Sequence, residues 1–416
     1  MRFPQDQRFT CSQCGRCCRR TTVPVTAGEA ESYRKAGATR WFTESDGVAD
    51  AARDPFEPIP GHAPLLRIRK RADGACGFLS PDGRCRIHEM MGADRKPLAC
   101  QLFPFRFHEL DNGPVVTASF ACPTIIANDG APLRSQAHEL RVLHTAWMRE
   151  LPEPARRVEF VAGHPLPDTS LTALRSILCR IVDRPDAEGR PALRDNLRRM
   201  AVFLEDVSRP RVLKLAPDAF AEYLDVMGRH AVTNQNPAPT RPSSRLARLL
   251  FRGFLLATLS VQLHLDSDYG RRKLKLRLAL FRQLAHLHGL APGTARFDIR
   301  RAGDMPLSFD DEEIRGIAHR YLHVSVESAG TGKRPLVDEV AMIVARLNAA
   351  CVLAKMDAAI HGRDAVDGRS FTEGMLQSAD LAHADDGGTL SYFLTTLSGS
   401  VEALYLFPPM YSYAHG

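Results

Sequence analysis

The chain has 416 residues, which at about 150 residues per domain suggests two or three domains with ample core. Apolar residues make up 44% and charged residues 25%, a balance that excludes a disordered chain, a collagen-like chain and a small disulfide scaffold. The 55 basic and 48 acidic residues give a formal charge of +7, too slight and too diffuse to demand nucleic acid as a partner. Residues 1–8 lack the apolar core of a signal peptide. The most apolar stretch, Leu249 to Leu265, is broken by Arg252, Gln262 and His264, short of the roughly 18 clean apolar residues that a membrane span requires. A reducing cytoplasm is therefore the expected compartment, where disulfides rarely persist.

In chain order, residues 1–130 read as short strands, turns and loops, and residues 131–416 as mainly helical. The expected fold class is α+β: a cysteine-cluster metal-binding domain with short hairpins, then a mainly α-helical domain. Pro81-Asp82-Gly83 is a strong turn signal, and a four-residue turn over Ser80 to Gly83 sets Phe78 opposite Cys85. A second hairpin is expected from Leu102 to Leu110 and Pro114 to Ala121. An Asn112-Gly113 turn there pairs Asp111 with Pro114 and Phe103 with Cys122. With few strongly periodic elements, this region is expected to bury little apolar surface.

Helical periodicity begins near residue 135. Leu140, Leu143 and Trp147 share one face, and Leu171, Leu174 and Leu178 share another. Pro217 is a plausible helix start. Thr233 to Ser244, with three prolines, reads as a loop or linker (233–244). Helices are expected over Arg245 to Leu265, Gly270 to His288, and Pro335 to His361, the last with Val340, Ile343, Val344 and Leu347 as a buried stripe.

Cysteine placement is the loudest signal. Of ten cysteines, eight lie between Cys11 and Cys122: Cys11, Cys14, Cys17, Cys18, Cys76, Cys85, Cys100 and Cys122. Cys179 and Cys351 stand alone in helical patterns and read as core. In Cys11-x2-Cys14-x2-Cys17-Cys18 the short spacing lets successive thiolates turn toward one ion or cluster. Gly15 helps the loop wrap, and Arg16, Arg19 and Arg20 are expected to lower the thiol pKa values. Adjacent Cys17 and Cys18 usually point apart, so eight thiols suit two four-ligand centres, or one centre with spare thiols. An iron–sulfur cluster, zinc, and uncoordinated thiols filling a core all fit the count. The Cys-x2-Cys-x2-Cys run closed by Cys122-Pro123 favours iron–sulfur, such as a 4Fe–4S cluster.

These motifs come with further ones in a fixed order: Phe9 before Cys11, Cys76-x-Phe78-Leu79, Gly83-x-Cys85-x-Ile87-His88, Lys96-Pro97-x2-Cys100, Phe103-Pro104-Phe105 and Cys122-Pro123. Together they resemble the CxxCxxCC family of zinc- or iron-chelating cysteine-cluster proteins. The resemblance implies metal binding by the eight cysteines. It extends to the flagellin lysine methylase, which couples a similar cysteine domain to a further C-terminal region. That relative implies a protein lysine methyltransferase activity with S-adenosylmethionine and a protein substrate, although its opening cysteines are more widely spaced than the tight x2 form here. A third reading is a zinc-stabilised module that binds a protein partner.

Other signals are weaker. Gly330-Thr331-Gly332-Lys333-Arg334 fails as a phosphate loop, with Glu327 where glycine is required and Arg334 where Ser or Thr is required. No glycine loop of the dinucleotide-binding type follows a predicted strand. His88 and His108 lie within the cysteine region, each more consistent with a structural role than with ligation. Arg271, Arg272, Lys273, Lys275, Arg277 and Arg282 read as a solvated helix face, without the aromatic interleaving that nucleic-acid stacking needs. Asp310 to Glu313 read as an acidic helix start with Ser308 as a possible cap.

Overall fold

A computed structural model describes residues 1–4, 6–20, 22–45, 48–49, 54–59, 64–111, 113–150, 154–236, 288–290, 296–298, 305–331 and 334–384. The expected linker beyond residue 236, the helix over Arg245 to Leu265 and the basic stretch lie outside the described residues. So does the helix expected over Gly270 to His288, except that His288 opens a strand, His288–Leu290, paired with Arg296–Asp298. The architecture is α+β, with short antiparallel strand pairs toward the N-terminus and helices after them. No helix among the described residues is long and apolar enough to cross a membrane.

The N-terminal lobe is built on a three-stranded antiparallel sheet, with Leu66–Ile68 between Pro24–Val25 and Phe56–Pro58. Helix α1 (Arg16–Arg20) precedes it and helix α2 (Ala27–Lys35) follows its first strand. A reciprocal capping box starts α2: the Thr26 hydroxyl accepts from the Glu29 N–H, and the Glu29 carboxylate accepts from the Thr26 N–H. Against this frame pack Tyr33, Phe42, Phe56, Phe78, Leu79 and Ile87, all buried. Phe78 meets Phe42 edge-on, with ring centroids 5.8 Å apart, and Tyr33 stacks on Phe56 at 5.9 Å. The lobe thus has an aromatic core, contrary to the thin burial expected from its lack of periodicity. Phe42 and Phe78 arrive from loops, and Tyr33 and Phe56 from a nine-residue helix and a three-residue strand, too short for a clear period to organise them.

Both hairpins form, in registers other than those expected. The Ser80 to Gly83 turn closes with the Gly83 N–H donating to the Ser80 carbonyl. Gly83 then adopts a left-handed conformation (φ +85°) and adds one residue to its strand, so Leu79 rather than Phe78 faces Cys85. In the second hairpin the Gly113 N–H donates to the Leu110 carbonyl. That moves the turn back and sets Phe105 opposite Ala118 and His108 opposite Val115. Phe103 and Cys122 therefore do not pair. Cys100 lies in a short helix instead, and Cys122 caps another whose first residue is Pro123, a position where the missing N–H costs nothing.

Helices numbered onward from α2 are α3 (Arg86–Met91), α4 (Leu98–Leu102), α5 (Pro123–Ala127), α6 (Ala137–Glu150), α7 (Asp168–Val182), α8 (Leu193–Val207), α9 (Pro217–Thr233), α10 (Glu312–Glu327), α11 (Leu336–Ile360) and α12 (Gly368–Ala384). Two of the expected stripes are buried, while on α6 only Leu140 is buried and Leu143 and Trp147 are partly so. Leu171, Leu174 and Leu178 on α7 are fully enclosed, as are Val340, Val344 and Leu347 on α11. Pro217 opens α9 and Pro335 caps α11, as expected. The cap of α10 is Asp311 rather than Ser308, because the Asp311 carboxylate accepts from the Ile314 N–H at 2.9 Å while Ser308 is engaged with Asp310. Phe105, Phe107, Val115 and Val116 of the second hairpin pack with these helices in one large core, together with Phe9 and Cys122. Residues from Val23 to Ile87 form the separate, smaller one.

Helices α11 and α12 meet at Gly374, where a Cβ would stand 2.3 Å from the Ala350 carbonyl oxygen and 2.7 Å from the Ala354 nitrogen. Both are backbone atoms of a packed helix and cannot turn aside. Gly374→Ala should therefore lower the unfolding free energy by about 2 kcal/mol, overriding the gain of about 1 kcal/mol that alanine brings to a helix. Urea unfolding measures this, and an unchanged or raised midpoint would contradict the close packing of the two helices.

Candidate metal centre

Seven of the eight clustered cysteines reach their places through three chain segments. The first is the loop Cys11 to Gly15 running into α1, which carries Cys17 and Cys18. Gly15 turns with φ +69°, and a Cβ there would press on the Gly83 carbonyl at 3.0 Å and the Leu79 side chain at 3.3 Å. Glycine thus lets the loop lie directly on the Cys76–Cys85 hairpin. The Cys76 N–H donates to the Cys18 carbonyl at 2.7 Å and locks the two segments together. The third segment is α4 with Cys100. Glu29 of α2 holds it, because its carboxylate also accepts from the Leu98 N–H at 2.8 Å. The Tyr33 hydroxyl donates to the Arg95 carbonyl at 2.8 Å and fixes the approach to the same helix.

The result is one group of mutually interacting thiols. Cys18 feels Cys17, Cys76 and Cys100, while Cys100 feels Cys76, Cys85 and Cys17. Cys76 is buried, and Cys18, Cys85 and Cys100 are partly buried against the aromatic core. Cys14 and Cys122 stand in a second place, with Cys11 three residues before Cys14 on the same loop. Cys11 and Cys14 are exposed, and Cys14 acts electrostatically on Cys122, which is buried in the larger core. Ser12, between the first two, lies 3.1 Å from Thr124, hydroxyl to hydroxyl, just past Cys122. Cys179 lies on α7 and Cys351 is buried on α11, both away from the cysteine lobe.

Burial dominates the electrostatics of the first group. It pushes the Cys76 thiol up to about 12 and the Cys100 thiol well above its ordinary value. Cys85 is raised by burial too, against the backbone N–H groups of His88 and Ile87 that face its sulfur. Within the adjacent pair, Cys18 hydrogen-bonds to Cys17, which lowers Cys17 and raises Cys18. The cation acting on Cys17, Cys85 and Cys100 is Lys96, and Lys70 acts on Cys76. Arg16, Arg19 and Arg20 were expected in that role; Arg16 instead pairs with Glu373 of α12 at 3.2 Å. Sequence reasoning missed Lys96 because the chain brings it to the thiols through the bend before Pro97, not through proximity in sequence.

The two histidines differ. His88 meets the centre through its backbone, whereas His108 Nε2 lies 3.1 Å from the Thr117 hydroxyl on the facing strand. The glycine-rich turn before α11 is structural where described: the Gly330 N–H donates to the Glu339 carboxylate at 2.8 Å, and residues 332 and 333 lie outside the described residues.

Chemically, the first group offers five soft sulfur donors on a small, partly buried patch. Neutral thiols are stable there; thiolates require a compensating cation. Such a donor set suits zinc or iron and does not suit magnesium or calcium, which take oxygen ligands. Residues 10–123 match the CxxCxxCC family, described as "Putative zinc- or iron-chelating domain". No curated protein and no solved structure matches the chain. All eight clustered cysteines fall within the matched span.

Proposed function

We propose that this domain holds an iron–sulfur cluster on ligands drawn from Cys17, Cys18, Cys76, Cys85 and Cys100, with a redox or sensing role. The observation that carries the reading is the convergence of these five thiols from three segments. The Cys-x2-Cys-x2-Cys spacing that ends at Cys17 supports a cluster over a single ion. Cys14 and Cys122 interact at a second place, with Cys11 on the same loop as Cys14. When bound, the cluster supplies one-electron chemistry at potentials tuned by burial and by hydrogen bonds to sulfur. Here the backbone N–H groups of Ile87 and His88 and the ammonium of Lys96 would do that tuning.

Protein purified without oxygen should contain iron and acid-labile sulfide in equal amounts and be brown. Colourless protein with stoichiometric zinc and no sulfide would overturn the cluster and leave a zinc-stabilised module.

Variants separate ligands from bystanders. Cys85→Ser or Cys100→Ser should lose most of the bound iron. Cys351→Ser should keep it, because Cys351 is 2% exposed on α11, in the larger core. Iron assays on the folded variants check this, and full retention in both Cys85→Ser and Cys100→Ser would contradict the assignment.

A further inference from the structure

A different set of donors stands on the helical side of the molecule. His319 and His323 lie four residues apart on α10, so one helix turn places both imidazoles on the same face. Asp183 caps the C-terminus of the neighbouring α7. His319 Nε2 and His323 Nδ1 each approach Asp183 Oδ1 to 2.8 Å, and the three donor atoms lie within 4.8 Å of one another. We propose that Asp183, His319 and His323 bind a divalent transition-metal ion, of the zinc or ferrous class, at a site separate from the cysteine centre.

Two observations support an ion over an ion pair. Two imidazoles converge on a single carboxylate oxygen, where a simple pair needs only one. Their distances fall about 0.6 Å short of the roughly 3.4 Å that separates nitrogen and oxygen ligands on a tetrahedral ion, so a modest outward shift admits one.

Two nitrogens and one oxygen are intermediate donors and select zinc, iron, cobalt or manganese over calcium. The histidine side chains keep 25% and 24% exposure, and Asp183 keeps 43%, so water can complete the coordination shell. Three protein ligands with an open position is the arrangement of a reactive metal, whereas structural zinc is closed by four. The sequence carried one legible sign of this site, the His319-x3-His323 spacing, but Asp183 lies 136 residues before the first histidine and only the α7–α10 packing brings it there.

The test is equilibrium dialysis of the full chain, its cysteine centre already loaded, against Co²⁺, followed by cobalt and iron analysis and visible absorption. Wild-type protein should retain an extra equivalent of cobalt over His319→Gln and over Asp183→Asn, with ligand-field bands and no thiolate charge-transfer band, at equal iron content. Asp183→Asn keeps the size and a hydrogen-bond acceptor, so it decides the matter if His319→Gln fails to fold. Equal cobalt in wild type and a folded variant, or cobalt bound only with thiolate bands, would overturn the site and leave an ion pair.

Discussion

Partly buried thiols held within reach of one another are the constraint around which the N-terminal lobe is organised. Each of Cys76, Cys85 and Cys100 is kept protonated by burial, and any two ionised together would repel at close range. The surrounding contacts serve to hold this costly arrangement: Gly15 seated on Gly83, Cys76 bonded to Cys18, and Glu29 bonded to Leu98. On the proposed reading a cation removes the repulsion, displaces the protons and adds binding energy to folding, on the order of 10 kcal/mol for structural thiolate sites. The aromatic core supplies the platform, and the metal ties loops to it that carry little regular structure of their own.

The lobe is joined to the helices by the same loop that carries the first cysteines. Arg16, between Cys14 and Cys17, pairs with Glu373 on α12, and Ser12 meets Thr124 on α5. Arg320 of α10 donates to the Ile126 carbonyl at 2.8 Å at the end of α5. A partly exposed pair such as Arg16–Glu373 contributes up to about 1 kcal/mol, enough to orient the loop but not to hold the lobe in place. Docking rests instead on Phe9, Cys122, Ile125 and Ile126, which are buried in the larger core. A change at the thiols therefore has a short path to α10 and α12, through one loop and one short helix.

Much of this was legible in the sequence, and the limits have physical causes. Cysteine spacing marked the donors, and the apolar period of α7 and α11 marked the helical core, because both signals are local. The hairpin registers were not legible, since a left-handed Gly83 inserts a residue and Gly113 closes on Leu110, shifts that turn composition does not specify. Cys122-Pro123 did contain a helix-start signal in its N1 proline, but a strand reading overrode it. The division of the thiols into two sets depends on tertiary contacts through Gly15 and Thr124, as does the meeting of Asp183 with His319 and His323. None of these leaves a trace in local periodicity.

The central claim, that a metal bound by the converging thiols holds the N-terminal lobe together, is tested most directly by amide hydrogen exchange on metal-loaded and metal-stripped protein. The account predicts that stripping removes protection from α1, from the Cys76–Cys85 hairpin and from α4, while α7, α8 and α11 exchange as before. Equal protection of those three thiol-bearing segments in both forms would contradict it.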